Sequence, residues 1–161
     1  MFIRHAASAL IACLVSFPVF AAEGAARAGD LEITNAWTRE APPRARVGGG
    51  YLTVRNTGTK PDRLVEARAT FASRVEIHEM GMANGVMTMA PLPEGLKIPP
   101  GGIVELKPGG FHIMFMGLVA PPKAGSSVSV TLVFERAGEV TLDMPVAPVG
   151  AKQPVGHGTG H

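Results

Sequence analysis

Two of the five histidines and six of the eight methionines fall between His78 and Met116. They lie in three short runs, HEMGM (78–82), VMTM (86–89) and HIMFM (112–116). In the first and third runs they recur at every second position, the period of a β-strand, where residues i, i+2 and i+4 share a face. His78, Met80 and Met82 therefore point one way on one strand, and His112, Met114 and Met116 on another. Imidazole nitrogen and thioether sulfur gathered on one surface are the donors expected for copper, above all Cu(I). Four ligands are enough. His78 and Met89 with His112 and Met114 make a neutral N₂S₂ set, with Met80 as an auxiliary donor. Met82, Met87 and Met116 share the face without being assigned to the ion.

Local chemistry indicates how these runs are presented. Asn84-Gly85, between Ala83 and Val86, is the strongest short signal for a two-residue hairpin. That loop sets a register in which Ala83 faces Val86, Met82 faces Met87, Met80 faces Met89 and His78 faces Pro91. Opposed residues share a face, so His78, Met80, Met82, Met87 and Met89 project together, with Met89 diagonal to His78. Core filler is the usual role of a methionine stripe, but the alternation argues against it here. Phe111, Ile113 and Phe115 occupy the face opposite His112, and Val75 and Ile77 the face opposite His78. Arg74 and Glu76 share the His78 face, which makes the Met/His side the wetter one. An apolar patch left on such a side calls for a purpose. Glu79, on the apolar face, does not fit this pattern.

The elements around the site read as short strands. Met1 to His5 is a short basic start, followed by an apolar run from Ala6 to Phe20 and then Ala21-Ala22. This is the layout of a secretory signal cleaved after Ala21. The run is short for a membrane span and is interrupted by Pro18. Leu10-Ile-Ala-Cys13 resembles a lipid-attachment box, but the apolar run continues well past Cys13 and little of it precedes the cysteine. Loss of residues 1–21 removes Arg4 and no acid, taking the formal charge from +2 to +1. So small a charge gives no electrostatic case for nucleic acid or anionic membrane. It also removes the single cysteine, so the exported chain has neither a disulfide nor a thiolate ligand. A blue-copper electron-transfer centre, which needs a cysteine, is thereby set aside.

From Leu31 onward about nine strands are expected, divided by turn signals such as Pro99-Pro100-Gly101-Gly102 and Pro108-Gly109-Gly110. They suggest one domain over 22–146, a two-sheet antiparallel sandwich or barrel. Residues 147–161, rich in Gly and Pro, are expected to form a disordered tail, with His157 and His161 as a candidate auxiliary arm for Cu(II). No Gly-x-Ser-x-Gly elbow, phosphate-binding glycine loop or H-E-x-x-H pairing is found, so an enzyme is not expected.

At these residues the sequence resembles the periplasmic PCu(A)C copper chaperones, over roughly Ile33 to Leu142. The likeness is carried by AWTREAPPRARVGGGYLTVRNTG (36–58), HEM (78–80), GVMTM (85–89), IPPGG (98–102) and ELKPGGFHIMFMGL (105–118). The family motif has a histidine, a methionine after ten residues, and a histidine-x-methionine after twenty-one. His78 to Met89 matches, Met89 to His112 has twenty-two intervening residues, and His112-Ile-Met114 matches. The surplus is expected in the loop from Pro91 to Leu96. The resemblance implies a cupredoxin-like antiparallel Greek-key β-sandwich that binds Cu(I) through His78, Met89, His112 and Met114. It further implies delivery of copper towards cytochrome c oxidase, with the oxidase copper-site subunit and Sco-type assembly factors as partners. A copper buffer conferring tolerance is the alternative role.

Overall fold

The computed structural model describes residues 24–155, in which all regular secondary structure is β-strand. The strands are β1 (Ala26–Ala28), β2 (Leu31–Arg39), β3 (Val47–Asn56), β4 (Asp62–Arg68), β5 (Ala72–Ala83) and β6 (Val86–Pro91). They continue as β7 (Leu96–Ile98), β8 (Ile103–Leu106), β9 (Phe111–Leu118), β10 (Ser127–Phe134) and β11 (Gly138–Ala147). Nine of these eleven are the expected strands. The additions, β1 and β7, are three residues each, too short to display a period. The expected signal segment, 1–21, lies outside the described residues.

Strand pairing follows the order β6-β5-β9-β8-β3-β2-β11-β10-β4-β7, with β1 on β2 and β9 also on β3. Most pairs are antiparallel, as expected for the fold class. Two short contacts are parallel: Val146 and Ala147 of β11 against Thr38 and Arg39 of β2, and Leu106 of β8 against Phe111 of β9. Alternation along a strand is the same in either direction, so these contacts leave no trace in sequence.

β11 ties the two halves together, since it pairs along its length with β10 and meets β2 only at its end. Ile33, Leu52, Val54, Ile113 and Phe115 from the β2–β3–β9 side join Leu64, Val130, Leu132, Leu142 and Met144 from the β4–β10–β11 side in one buried cluster. Met144 is fully buried and is the filler methionine of this core. On the outer face, Trp37, Tyr51 and Ala147 form a second cluster, against which Ala151 packs. Arg39 Nε donates to the Ala151 carbonyl at 2.6 Å. Packing against the domain thus continues past residue 146, where a loose tail is expected from composition. His157 and His161 lie outside the described residues.

The run Gly48-Gly49-Gly50 fits β3 against β9. Gly50 pairs with Ile113 on the core side, and a Cβ there would stand 2.8 Å from Cε2 of Phe115. Gly49 pairs with Met114 on the outer side, where a Cβ would meet the Tyr51 hydroxyl at 2.6 Å. The bare backbone admits two aromatic rings, one on each face.

Candidate metal centre

The hairpin forms as its turn chemistry dictates. Asn84 and Gly85 both have positive φ, 52° and 75°, as a type I′ turn requires. Pairing of β5 with β6 then runs without a bulge, Met82 with Met87, Met80 with Met89 and His78 with Pro91. On its other edge β5 pairs with β9: His78 with His112, Glu76 with Met114 and Arg74 with Met116. One face of three adjacent strands therefore carries both histidines and all six methionines of the sequence cluster. Both registers are continuous, so the additional residue between Met89 and His112 is accommodated outside the paired segments of β5, β6 and β9.

His78 and His112 stand directly opposite each other, their ring centroids 5.7 Å apart. Both are buried, at 8 % and 6 % exposure, whereas Met89 is 49 % exposed. Met80 and Met114 are half-buried. The sulfur donors thus lie on a wet face, as expected, but the imidazoles are screened from water. Register gives the cause: Glu76 and Met80 flank His78 on its own strand, and Met89 and Met114 stand at its diagonals.

Each ring has one nitrogen committed. His112 Nδ1 lies 3.0 Å from the Gly110 carbonyl, which can only accept, so Nδ1 carries the proton and Nε2 keeps a lone pair. His78 Nε2 donates to Glu76 Oε2 at 2.8 Å. Its Nδ1 is buried and has no hydrogen-bond partner. An acceptor left so costs about 1–3 kcal/mol unless something fills it. Metal-ligating histidines characteristically give their second nitrogen to a carboxylate or carbonyl, which fixes ring and tautomer. Among the described residues no three His, Cys, Asp or Glu are grouped to hold an ion, so the remaining nearby donors are thioethers. The orphaned Nδ1 and this soft donor set fit a cuprous ion and do not fit a hard one.

Glu76 is the residue of the candidate site that sequence reasoning passed over. Its other oxygen, Oε1, accepts from Arg74 Nε at 3.1 Å, and Arg74 also donates to the Met116 sulfur at 3.5 Å. The hydrogen bond from His78 holds the Glu76 carboxyl below its ordinary value of 4.5; partial desolvation opposes this and the charge of Arg74 adds to it. A carboxylate two residues before a histidine on the same strand face was the available signal. Arg74 closes that end of the face with a positive charge, which leaves Met116 poorly suited to an added cation. Glu79 is exposed and lines a cleft of about 530 Å³ with Arg63, Leu92, Lys97 and Phe111, which explains a charge on the apolar side.

Comparison with known proteins finds the same architecture. A family model described as "Putative lipoprotein LpqE-like" matches residues 31–146. "Putative lipoprotein Lxx21020" of Leifsonia xyli subsp. xyli (strain CTCB07) is 36% identical over 137 residues, covering 85% of this chain and 81% of the relative. Among solved structures, the copper-bound PCuAC domain from PmoF2 is 27% identical with a TM-score of 0.67, over 77% of this chain and 97% of that one. The Cu(I) form of DR1885 from Deinococcus radiodurans, a solution structure, is 31% identical with a TM-score of 0.55, over 70% and 75%. Its apo form covers 91% of this chain and 97% of its own, at 26% identity and a TM-score of 0.58.

Proposed function

The chain belongs to the LpqE-like family, and on that footing we propose that it is an exported Cu(I) metallochaperone whose cargo is held by His78, Met89, His112 and Met114. The observation that carries this reading is the pair of opposed, buried imidazoles, each with one nitrogen anchored and the other left for a soft ion. The copper-bound PmoF2 domain and the Cu(I) form of DR1885 support it as relatives that hold the metal.

All four donors are neutral, so a bound cuprous ion keeps its charge and is not locked in by an anionic ligand. The imidazoles, preset by Glu76 and Gly110, supply the part of the site that need not reorganise. Met89 lies on β6, the last strand at this end of the sheet order, and all six residues of β6 are exposed. A partner can therefore displace that thioether first and strip the ion one donor at a time. This favours transfer over storage.

The recipient in this reading is the copper site of cytochrome c oxidase, reached directly through its copper-site subunit or by way of a Sco-type assembly factor. His157 and His161 are the candidates for an auxiliary Cu(II) arm, and the periplasm is the compartment. For the N-terminus the lipoprotein character ascribed to the family and to the Leifsonia relative favours a second reading, lipid attachment at Cys13 in place of cleavage after Ala21. Intact-mass measurement of the exported protein separates the two.

Anaerobic Cu(I) titration against a competing chelator tests the ligands. His78→Ala and Met114→Ala are expected to weaken binding, and affinity equal to wild type in both would remove the assignment. Mixing the loaded protein with the apo oxidase subunit or apo Sco protein tests delivery. Retention of copper, together with a deletion strain that is copper-sensitive but has normal oxidase, would leave a buffer in place of a chaperone.

A further inference from the structure

The β5–β6 hairpin carries more sulfur than the four-ligand site uses. Met82 and Met87 are paired in register next to the turn, Met80 and Met89 are paired one step further in, and all four share a face. Met82 is 72 % exposed and Met87 57 %, whereas Met144, the methionine that serves the core, is fully buried. The hairpin sequence from Met80 to Pro91 contains no charged residue, so nothing on it repels a cation or pairs with an acidic surface.

We propose that Met80, Met82 and Met87 form a second, sulfur-only site for a soft monovalent cation, Cu(I) or its analogue Ag(I), at the outer end of the hairpin. The three sulfurs are within reach of one another. Directly opposed residues in an antiparallel pair have Cβ atoms about 4.5–5.5 Å apart, and diagonal neighbours are still within range of long side chains. Methionine is unbranched, with three rotatable bonds, so the sulfurs of Met82 and Met87 can meet on one ion and Met80 can close the third position. Three neutral thioethers offer nothing to magnesium, calcium or zinc and select the soft ion.

The far ends of the two sites are held apart by distance, although Met80 of the outer set and Met89 of the inner set are directly paired. Met82 lies four positions along the strand from His78, roughly 13 Å at about 3.3 Å per residue. One ion cannot bridge that gap. That Met80–Met89 pair is where the two sets meet, so the face reads as a ladder from an exposed all-sulfur end to a screened end with two imidazoles. Binding at the outer end stands independently of the inner site. Only its use as a loading step for the inner site rests on the function proposed above.

Silver titration followed through the methionine methyl resonances tests this, because Ag(I) stays monovalent in air. Wild-type protein is expected to take up two equivalents, with the Met82 and Met87 methyls shifting. Met82→Leu/Met87→Leu keeps the apolar volume and is expected to bind one equivalent, with the His78 and His112 ring signals still responding. His78→Ala/His112→Ala is expected to retain one equivalent, with the Met82 and Met87 shifts intact. A single equivalent in wild type that leaves those two methyls unmoved overturns the outer site and spares the inner one. Two equivalents in the leucine variant also overturn it. Loss of response at the histidine rings in wild type, with the outer methyls still shifting, overturns the inner site alone.

Discussion

Glu76 and His78, two residues apart on one face of β5, are joined by a 2.8 Å hydrogen bond from Nε2 to Oε2 that leaves the second ring nitrogen as a lone-pair donor. The carboxylate therefore selects which nitrogen of His78 is offered to an ion. Loss of such an anchor typically weakens metal binding about 10–100-fold. Glu76→Ala is expected to lose cuprous affinity on this scale in anaerobic chelator competition. Glu76→Gln, whose amide oxygen still accepts from Nε2, should recover most of it. Unchanged affinity in the alanine variant would mean that the ring is held by packing alone.

The same bond makes a prediction about acid stability. The Glu76 carboxyl is held below its ordinary value of 4.5, chiefly by the His78 hydrogen bond. A depressed carboxylate favours folding above its unfolded value, and that contribution fades as pH falls through the lowered folded value. Wild type should therefore exceed Glu76→Ala in stability at pH 6. The gap should narrow on titration below pH 4.5. Denaturant midpoints measured for both proteins from pH 6 downward test this, and a gap that widened on acidification would contradict the sign.

How much of this site was legible follows from where each constraint originates. Asn84-Gly85 fixes the pairing of Met80 with Met89 locally, so turn chemistry alone was sufficient to read it. The limits of β9, Phe111–Leu118, follow equally from its alternation and the flanking Pro108-Gly109-Gly110. The opposition of His78 to His112 is different, because it joins strands separated by more than thirty residues and depends on the packing of the whole sheet. So does burial: alternation shows that both imidazoles leave the core face, and only the neighbours supplied by register show them screened. The packing of Ala151 was hidden for the same reason, since its anchors, Arg39, Trp37 and Tyr51, are distant in sequence.

Asp62 should be among the costlier polar residues to replace. It is buried, its Oδ1 accepts from the backbone N–H groups of Arg63 and Arg136, and its Oδ2 accepts from that of Ala137. One carboxylate thus fastens the start of β4 to the turn between β10 and β11. Asp62→Ala leaves these donors unmet in a partly buried place, and about 1–3 kcal/mol should be lost. The turn is far from the hairpin in the strand order, so copper affinity of the folded variant should match wild type. Chemical denaturation together with metal titration checks both halves of the expectation.

Gly50 should tolerate no side chain, for a reason that reaches the metal centre. A Cβ at this position would lie 2.8 Å from Cε2 and 3.0 Å from Cζ of Phe115, a fully buried ring on β9. The ring cannot give way without disturbing the close-packed core around it. Overpacking of this kind costs about 1–3 kcal/mol, so Gly50→Ala should unfold at correspondingly lower denaturant. Phe115 lies between Met114 and Met116 on the same strand, so a displaced β9 also misplaces the Met114 sulfur. Gly50→Ala should therefore bind Cu(I) more weakly than wild type while still folded, although residue 50 points to the core side and contributes no donor. Adding Phe115→Leu, which vacates the contested space, should restore part of the affinity; no recovery would show that the strain resides in β3 itself.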